Sequence, residues 1–316
     1  MKEESLRDLS IVVPAYNEES NIFPFLKRLL PVIEKLTSDY EIIFVLDPSS
    51  DNTEEVIVEN SKLNPHIKLL KMSRRFGQPA ATMAGLAYST SKRVVIIDVD
   101  LQDPPELIID LYRKMDEGFD VVYATRRTRE GETFIKKIFA KTGYKIINSL
   151  SEVQIPKNTG DFRIMSRRVV NELSALNDKH GFLRGLVAYV GFNQTGILYA
   201  RDSRHAGKGK YNRYLGSLRI GLNGLVGFSA KPLNIMSLLG VVVAGLSFLL
   251  GGWYVIQKIF GVYLTPGLST TVILISFFAG IQLLSIGLVG EYISRIYDEV
   301  KNRPTYIVER KIGFDE

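Results

Sequence analysis

Short apolar runs alternate with amphipathic stretches along the first 200 residues. Ser10-Ile11-Val12-Val13 reads as a strand, and Ser20 to Leu36 has helical spacing. Glu41 to Leu46 reads as a strand and Asp51 to Lys62 as a helix. The same alternation gives a strand over Ile67 to Leu70 and a helix over Pro79 to Ser89. It continues with a strand over Val94 to Ile97, a helix over Pro105 to Glu117 and a strand over Val121 to Tyr123. This rhythm predicts an α/β domain with a mostly parallel sheet and helices on both sides. Residues 126–160 are polar and predict a loop followed by a helix over about Thr133 to Leu150.

The C-terminal third follows another pattern. Leu233 to Gln257 is uncharged, and so is Ile259 to Gly290, broken only by Thr265-Pro266-Gly267. Each can supply the roughly 20 apolar residues that a spanning helix needs. Two membrane helices are expected, at about 233–257 and 268–290. Gly240, Gly245, Gly251, Gly280 and Gly287 within them would allow close helix packing and a homo-oligomer.

Charge sharpens this division. The formal net charge is +6. The whole excess lies in 201–232, where Arg201, Arg204, Lys208, Lys210, Arg213, Arg219 and Lys231 face Asp202 alone. A basic stretch just before a span suits anionic headgroups or a phosphorylated lipid. Basic residues also follow the second span, so both ends are expected in the cytosol. Residues 209–230 read as short amphipathic helices at the membrane surface. The N-terminus opens no apolar run, so no signal peptide is expected. The large domain is charge-balanced and matches no nucleic-acid motif. There is no cysteine, which excludes disulfides, thiol catalysis and Cys-ligated metals. The three histidines have no ligand spacing.

In parallel sheets of this kind, ligands bind beyond the carboxyl ends of the strands. The first strand ends in Pro14-Ala15-Tyr16-Asn17-Glu18-Glu19 and the second in Asp47-Pro48-Ser49-Ser50-Asp51. Each is also what a helix-capping turn wants. The fourth ends in Asp98-Val99-Asp100-Leu101-Gln102-Asp103. Alternation along an extended chain would put Asp98 and Asp100 on one side. Clustered carboxylates repel and call for a cation or donors nearby. Oxygen ligands of this kind suit Mg²⁺ or Mn²⁺ shared with a diphosphate. An acidic turn before a Pro-initiated helix is the plainer alternative.

With these motifs the sequence resembles the family 2 glycosyltransferases. It is most similar to bacterial polyprenyl-phosphate glycosyltransferases of the GtrB kind, relatives of dolichyl-phosphate mannose synthase. The resemblance spans nearly the whole chain. It rests on Val13 to Glu19, Arg75-Phe76-Gly77-Gln78, Asp98 to Glu106 and Gly160-Asp161-Phe162-Arg163. Phe182-Leu183-Arg184-Gly185, Arg204-His205-Ala206-Gly207, Lys210-Tyr211 and Gly290-Glu291-Tyr292-Ile293 complete it.

The resemblance implies a Rossmann-like catalytic domain of type A over 1–208. Juxtamembrane helices over 209–232, two spans within 233–293 and a cytosolic tail over 294–316 would follow. It implies that Pro14, Tyr16, Glu18, Asp47 and Asp98 bind the nucleotide sugar. Asp100 and Gln102, with Asp98, would hold the divalent metal. Asp161, Arg163 and Arg126 would stand at the reacting centre. Lys136, Lys137, Arg204 and Lys210 would take the acceptor phosphate. The implied reaction is inverting transfer of a hexose, glucose from UDP-glucose first, to polyprenyl (undecaprenyl) phosphate at a bacterial inner membrane. GDP-mannose is the alternative donor, and a non-catalytic nucleotide-sugar sensor the alternative class. Relatives have two acids and a glycine after the second strand, whereas this chain has Leu46-Asp47-Pro48.

Overall fold

The computed structural model describes residues 6–127, 153, 156, 158–176, 178, 182–201, 226–227, 229–260 and 267–314. The chain divides into two compact units, one holding most of residues 1–224 together with 304–316, the other centred on 225–303.

The first unit is built on β1 (Arg7–Ala15), β2 (Tyr40–Leu46), β3 (Ile67–Met72), β4 (Ser91–Ile96), β5 (Val121–Arg126), β6 (Thr159–Ser166), β7 (Gln194–Tyr199) and β8 (Val308–Ile312). Among the described residues these form one sheet in the order β7-β5-β6-β4-β1-β2-β3-β8. The central strands β4, β1, β2 and β3 run parallel, with Val12 opposite Ile43 and Ile96. β6 is antiparallel and lies between β4 and β5. β8 is also antiparallel and closes the β3 edge. Within the tail expected over 294–316, Val308–Ile312 thus adds a strand to the sheet.

Helices α1 (Glu19–Glu34), α2 (Thr53–Leu63), α3 (Gln78–Tyr88) and α4 (Ile108–Met115) follow the first four strands, α4 after a 3₁₀ turn at Pro105–Leu107. α5 (Arg167–Ala175) and α6 (Leu183–Val190) come later. The core joins Ile11, Val13, Phe44, Leu69, Val95 and Ile164 from the strands to Phe25, Leu29 and Ile57 from the helices. Gly85 brings α3 close, because an added Cβ would run into Val12 and meet Val45 Cγ2 at 3.1 Å.

The ion pair of Lys68 and Glu41 is buried in this unit. Lys68 Nζ donates to Glu41 Oε2 at 2.8 Å, and the Glu41 carboxylate also accepts from Ser10 Oγ and the Thr90 amide. Burial pushes the Glu41 pKa up, but Lys68, Ser10 and Thr90 outweigh it and hold it below the ordinary value. The pair's contribution is complete above the ordinary carboxylate range and is lost as pH falls through that lowered value. Glu41→Ala leaves Lys68 buried without its counter-charge and costs about 3–5 kcal/mol. A fall in thermal midpoint checks this; an unchanged midpoint refutes it.

The second unit holds α7 (Lys231–Ile259) and α8 (Leu268–Val300). Both contain stretches long and apolar enough to cross a membrane, Lys231–Trp253 and Phe277–Val300, with none of either stretch's most apolar 18-residue window buried. Phe248, Leu249, Leu283 and Leu284 are exposed. Ser285 Oγ lies 3.7 Å from Met236 Sδ, and Tyr292 Oη donates to the Ser229 carbonyl at 2.7 Å. α8 continues ten residues past the expected end of the span at Gly290. The helices expected over about 133–150 and 209–230 fall wholly or almost wholly outside the described residues.

Candidate active site

Three loops at the carboxyl ends of β1, β2 and β3 are tied together by their own side chains. Asn17 sits in the left-handed region (φ 51°), which asparagine tolerates well. Its amide donates to Ser49 Oγ at 3.0 Å, and its side-chain oxygen accepts from the Ser50 amide at 2.8 Å. The Glu18 amide donates to Thr53 Oγ1 at 2.8 Å. Asp47 then reaches the third loop. Its two oxygens accept the Phe76 and Gly77 amides at 3.0 and 2.8 Å. Gly77 has φ 92°, a conformation that needs glycine.

These loops frame a cleft of about 290 Å³. Pro14, Tyr16, Glu18, Asp47, Asp98 and Asp100 all line it. Sequence reasoning assigned no role to three more lining residues, Arg75, Gly77 and Gln78. The Arg75 guanidinium lies 4.0 Å over the Tyr16 ring. Gln78, at the start of α3, donates from Nε2 to Asp98 Oδ1 at 2.8 Å. The motif Arg75-Phe76-Gly77-Gln78 was the available signal for these.

The acidic tract differs from the expected extended chain. β4 ends at Ile96, and residues 99–103 form a turn in which Leu101 has φ 59°. A left-handed leucine costs about 1–3 kcal/mol and persists only where its surroundings enforce it. Here Leu101 is buried in the core, and the Gln102 amide donates to Asp100 Oδ1 at 3.1 Å. Asp98 and Asp100 are thus brought to one cleft by a turn, not by strand alternation. Burial pushes Asp98 up to about 8, with Asp161, Asp100 and Asp103 adding to the effect and Arg201 opposing it. The cleft holds more carboxylate than its own cations neutralise.

Asp161 and Arg163 lie on β6, one strand away from the tract. Their side chains take different hydrogen-bond partners. Asp161 Oδ1 accepts from Arg184 Nε at 3.0 Å, while Arg163 donates to the carbonyls of Asp161 and Gly160 at 3.2 and 2.8 Å. Burial alone would raise Asp161, but Arg184 and Arg163 hold it below its ordinary value. Burial draws Arg163 down to about 10. Arg184 lies in the first turn of α6 and stands 23 residues from its partner, so only the quoted motif marked it.

Arg126 is the last residue of β5 rather than beyond it. Its Nε donates to Tyr199 Oη at 3.3 Å, and its Nη2 lies 3.9 Å from Asp103 Oδ2. Gly160 leaves room for it, since an added Cβ would lie 2.7 Å from Arg126 Nη2. Gly160→Ala therefore displaces that guanidinium, with an expected fall in turnover of about 10–100-fold. Steady-state kinetics beside an unshifted thermal midpoint would show it; wild-type turnover would refute it. Lys136, Lys137, Arg204 and Lys210 lie outside the described residues.

Fold and site define an α/β enzyme with an acidic cleft at its strand ends. The chain belongs to glycosyl transferase family 2, whose model matches residues 10–174, and it is a glycosyltransferase. It is 43% identical over 306 residues to the uncharacterized glycosyltransferase YkcC of Bacillus subtilis (strain 168), covering 97% of this chain and 94% of that protein. It is 38% identical over 302 residues to the SfII prophage-derived bactoprenol glucosyl transferase of Shigella flexneri, covering 96% and 97%. Among solved structures, glucosyl-3-phosphoglycerate synthase from Mycobacterium tuberculosis aligns with 70% of this chain and 78% of that one, at 18% identity and a TM-score of 0.49.

Proposed function

We propose that the protein transfers glucose from UDP-glucose to a polyprenyl phosphate, with inversion, at the cytosolic face of a bacterial inner membrane. The observation that carries this reading is the nearly full-length likeness to a bactoprenol glucosyl transferase. The two apolar helices support it, because a lipid acceptor keeps its phosphate at the bilayer surface. An enzyme anchored there meets that phosphate at high local concentration. The basic residues flanking the spans favour both termini in the cytosol. Glycines of the spans would serve self-association.

In this reading Pro14, Tyr16, Glu18 and Asp47 bind the nucleotide, with Asp98 near the ribose. Asp47 acts largely by holding the Phe76 and Gly77 amides in place. Asp100 and Gln102, beside Asp98, would hold Mg²⁺ or Mn²⁺. Among the described residues no three His, Cys, Asp or Glu side chains converge as a ready-made cage. The donor set still fits a hard ion that takes further oxygens from a diphosphate, and the surplus carboxylate charge of the cleft favours one. When bound, such an ion would neutralise charge on the departing diphosphate.

The acceptor phosphate oxygen attacks the anomeric carbon from the face opposite the diphosphate. A phosphate monoester has a second pKa near ~6, so the acceptor is already mostly a dianion at neutral pH. Asp161, held ionised by Arg184 and Arg163, is a weak base and acts by position. It fixes Arg184 through Oδ1 and presents its other oxygen to a donor hydroxyl. Arg126 approaches the transferring groups or the acceptor phosphate, and Lys136, Lys137, Arg204 and Lys210 would reach that phosphate. A panel of UDP-glucose, GDP-mannose and UDP-N-acetylhexosamines with undecaprenyl phosphate tests the donor. Consumption of UDP-glucose alone is expected, and preference for GDP-mannose overturns that assignment.

A further inference from the structure

We propose that Arg201 joins Arg126 in a two-armed phosphate-binding fork, held in shape by the buried carboxylate of Asp103 and the hydroxyl of Tyr199. The inference rests on the glycosyl-transfer reading and adds to it a binding residue and two positioning residues. By sequence, Arg201 opens the basic stretch expected to face lipid headgroups. In the fold it stands just beyond β7, at the carboxyl edge of the sheet, beside the end of β5.

Asp103 is only 1% exposed and is the meeting point. Tyr199 Oη donates to its Oδ1. Arg201 Nε lies 3.3 Å from the same oxygen, and Arg126 Nη2 lies 3.9 Å from the other. Arg126 Nε donates in turn to Tyr199 Oη at 3.3 Å. The Tyr199 ring is fixed edge-on against Phe162 of β6. One carboxylate thus gathers two guanidinium groups from the ends of two neighbouring parallel strands.

Two guanidinium groups converge on this one carboxylate. Arg201 Nε is buried and makes no hydrogen bond, being within ion-pair range of Asp103 but outside bonding geometry. Both side chains stay partly accessible, 31% for Arg126 and 23% for Arg201. Arg126 Nη2 lies against Gly160, where an added Cβ would come within 2.7 Å of it, so the fork stands beside the chain neighbour of Asp161. Planar guanidinium groups held at a fixed spacing suit phosphate oxygens. Both the acceptor's monophosphate and the donor's diphosphate offer that chemistry.

The test uses the full chain in detergent with Mg²⁺, and titration calorimetry with two probes, farnesyl phosphate and UDP. Arg201→Ala is expected to weaken one probe about tenfold and leave the other within about twofold. Loss on farnesyl phosphate assigns the fork to the acceptor, and loss on UDP to the donor. Arg201→Lys should recover part of the loss. Tyr199→Phe keeps the ring against Phe162 and should weaken the same probe about threefold in a chain that still unfolds in one cooperative transition. If Arg201→Ala does not fold, Arg201→Gln is read by the same criterion. Wild-type binding of both probes by a folded Arg201 variant overturns the fork. A wild-type chain that binds the probes through Arg201 but transfers no sugar overturns the reaction and keeps the fork. One that binds neither overturns both.

Discussion

Asp100→Ala lowers turnover by about 10²–10³-fold, the loss typical of removing one preorganised group that stabilises charge in a transition state. Asp100 stands in a turn that a left-handed, core-buried Leu101 holds in shape, so the backbone is committed to presenting this carboxylate. Mn²⁺ with UDP is expected to raise the thermal midpoint of the wild-type chain, because a ligand that binds only the folded form stabilises it, and the same change should abolish that shift. The two readouts separate causes. Lost turnover with a retained Mn²⁺-dependent midpoint shift would mean that Asp100 acts on substrate alone. Turnover within about threefold of wild type would remove Asp100 from the site.

Asp161→Asn is expected to lose a similar factor, about 10²–10³, and to lose it equally from pH 6 to pH 9. Asp161 is held below the ordinary carboxylate range by Arg184 and Arg163 against its own burial. It is therefore ionised throughout that window and poorly matched to taking a proton. The acceptor phosphate loses its last proton near pH ~6, so a variant lacking only a base would recover above that value. A pH–rate profile for the variant is the measurement. A flat deficit supports positioning through Arg184. Recovery with rising pH would return Asp161 to the role of base.

Much of this was legible from pattern. The runs that became β1 to β4 are apolar because both faces of those strands are covered, and each is followed by a helix of clear periodicity. That rhythm placed Pro14, Tyr16, Glu18, Asp47, Asp98 and Asp100 at strand ends, and the fold brings all six to one cleft. β6 was not legible as a strand. Arg163 is buried along with Phe162 and Ile164, so the usual alternation of polar and apolar faces is missing. β8 was hidden for the opposite reason. Its sequence Val-Glu-Arg-Lys-Ile is mostly exposed, as suits a charged strand at a sheet edge.

The partnerships at the site were the least legible part. Asp103 meets Tyr199 across 96 residues and Gln78 meets Asp98 across 20. No local pattern encodes such pairs, because the sheet order that brings β7 beside β5 is a property of the whole domain. Arg201 was read with the basic residues that follow it, since charge counting has no means of separating a residue at a strand end from its neighbours. The extended reading of Asp98 to Asp100 failed because a left-handed leucine is not a conformation that sequence announces.

The central claim is that this chain builds a sugar–phosphate–lipid. Its most direct test is to incubate the purified chain with UDP-glucose, Mg²⁺ and undecaprenyl phosphate, then determine the mass and anomeric linkage of the lipid product. A single hexose on the lipid phosphate in β linkage is expected, the inverse of the α-linked donor. A lipid that stays unmodified, or an α-linked product, would contradict it.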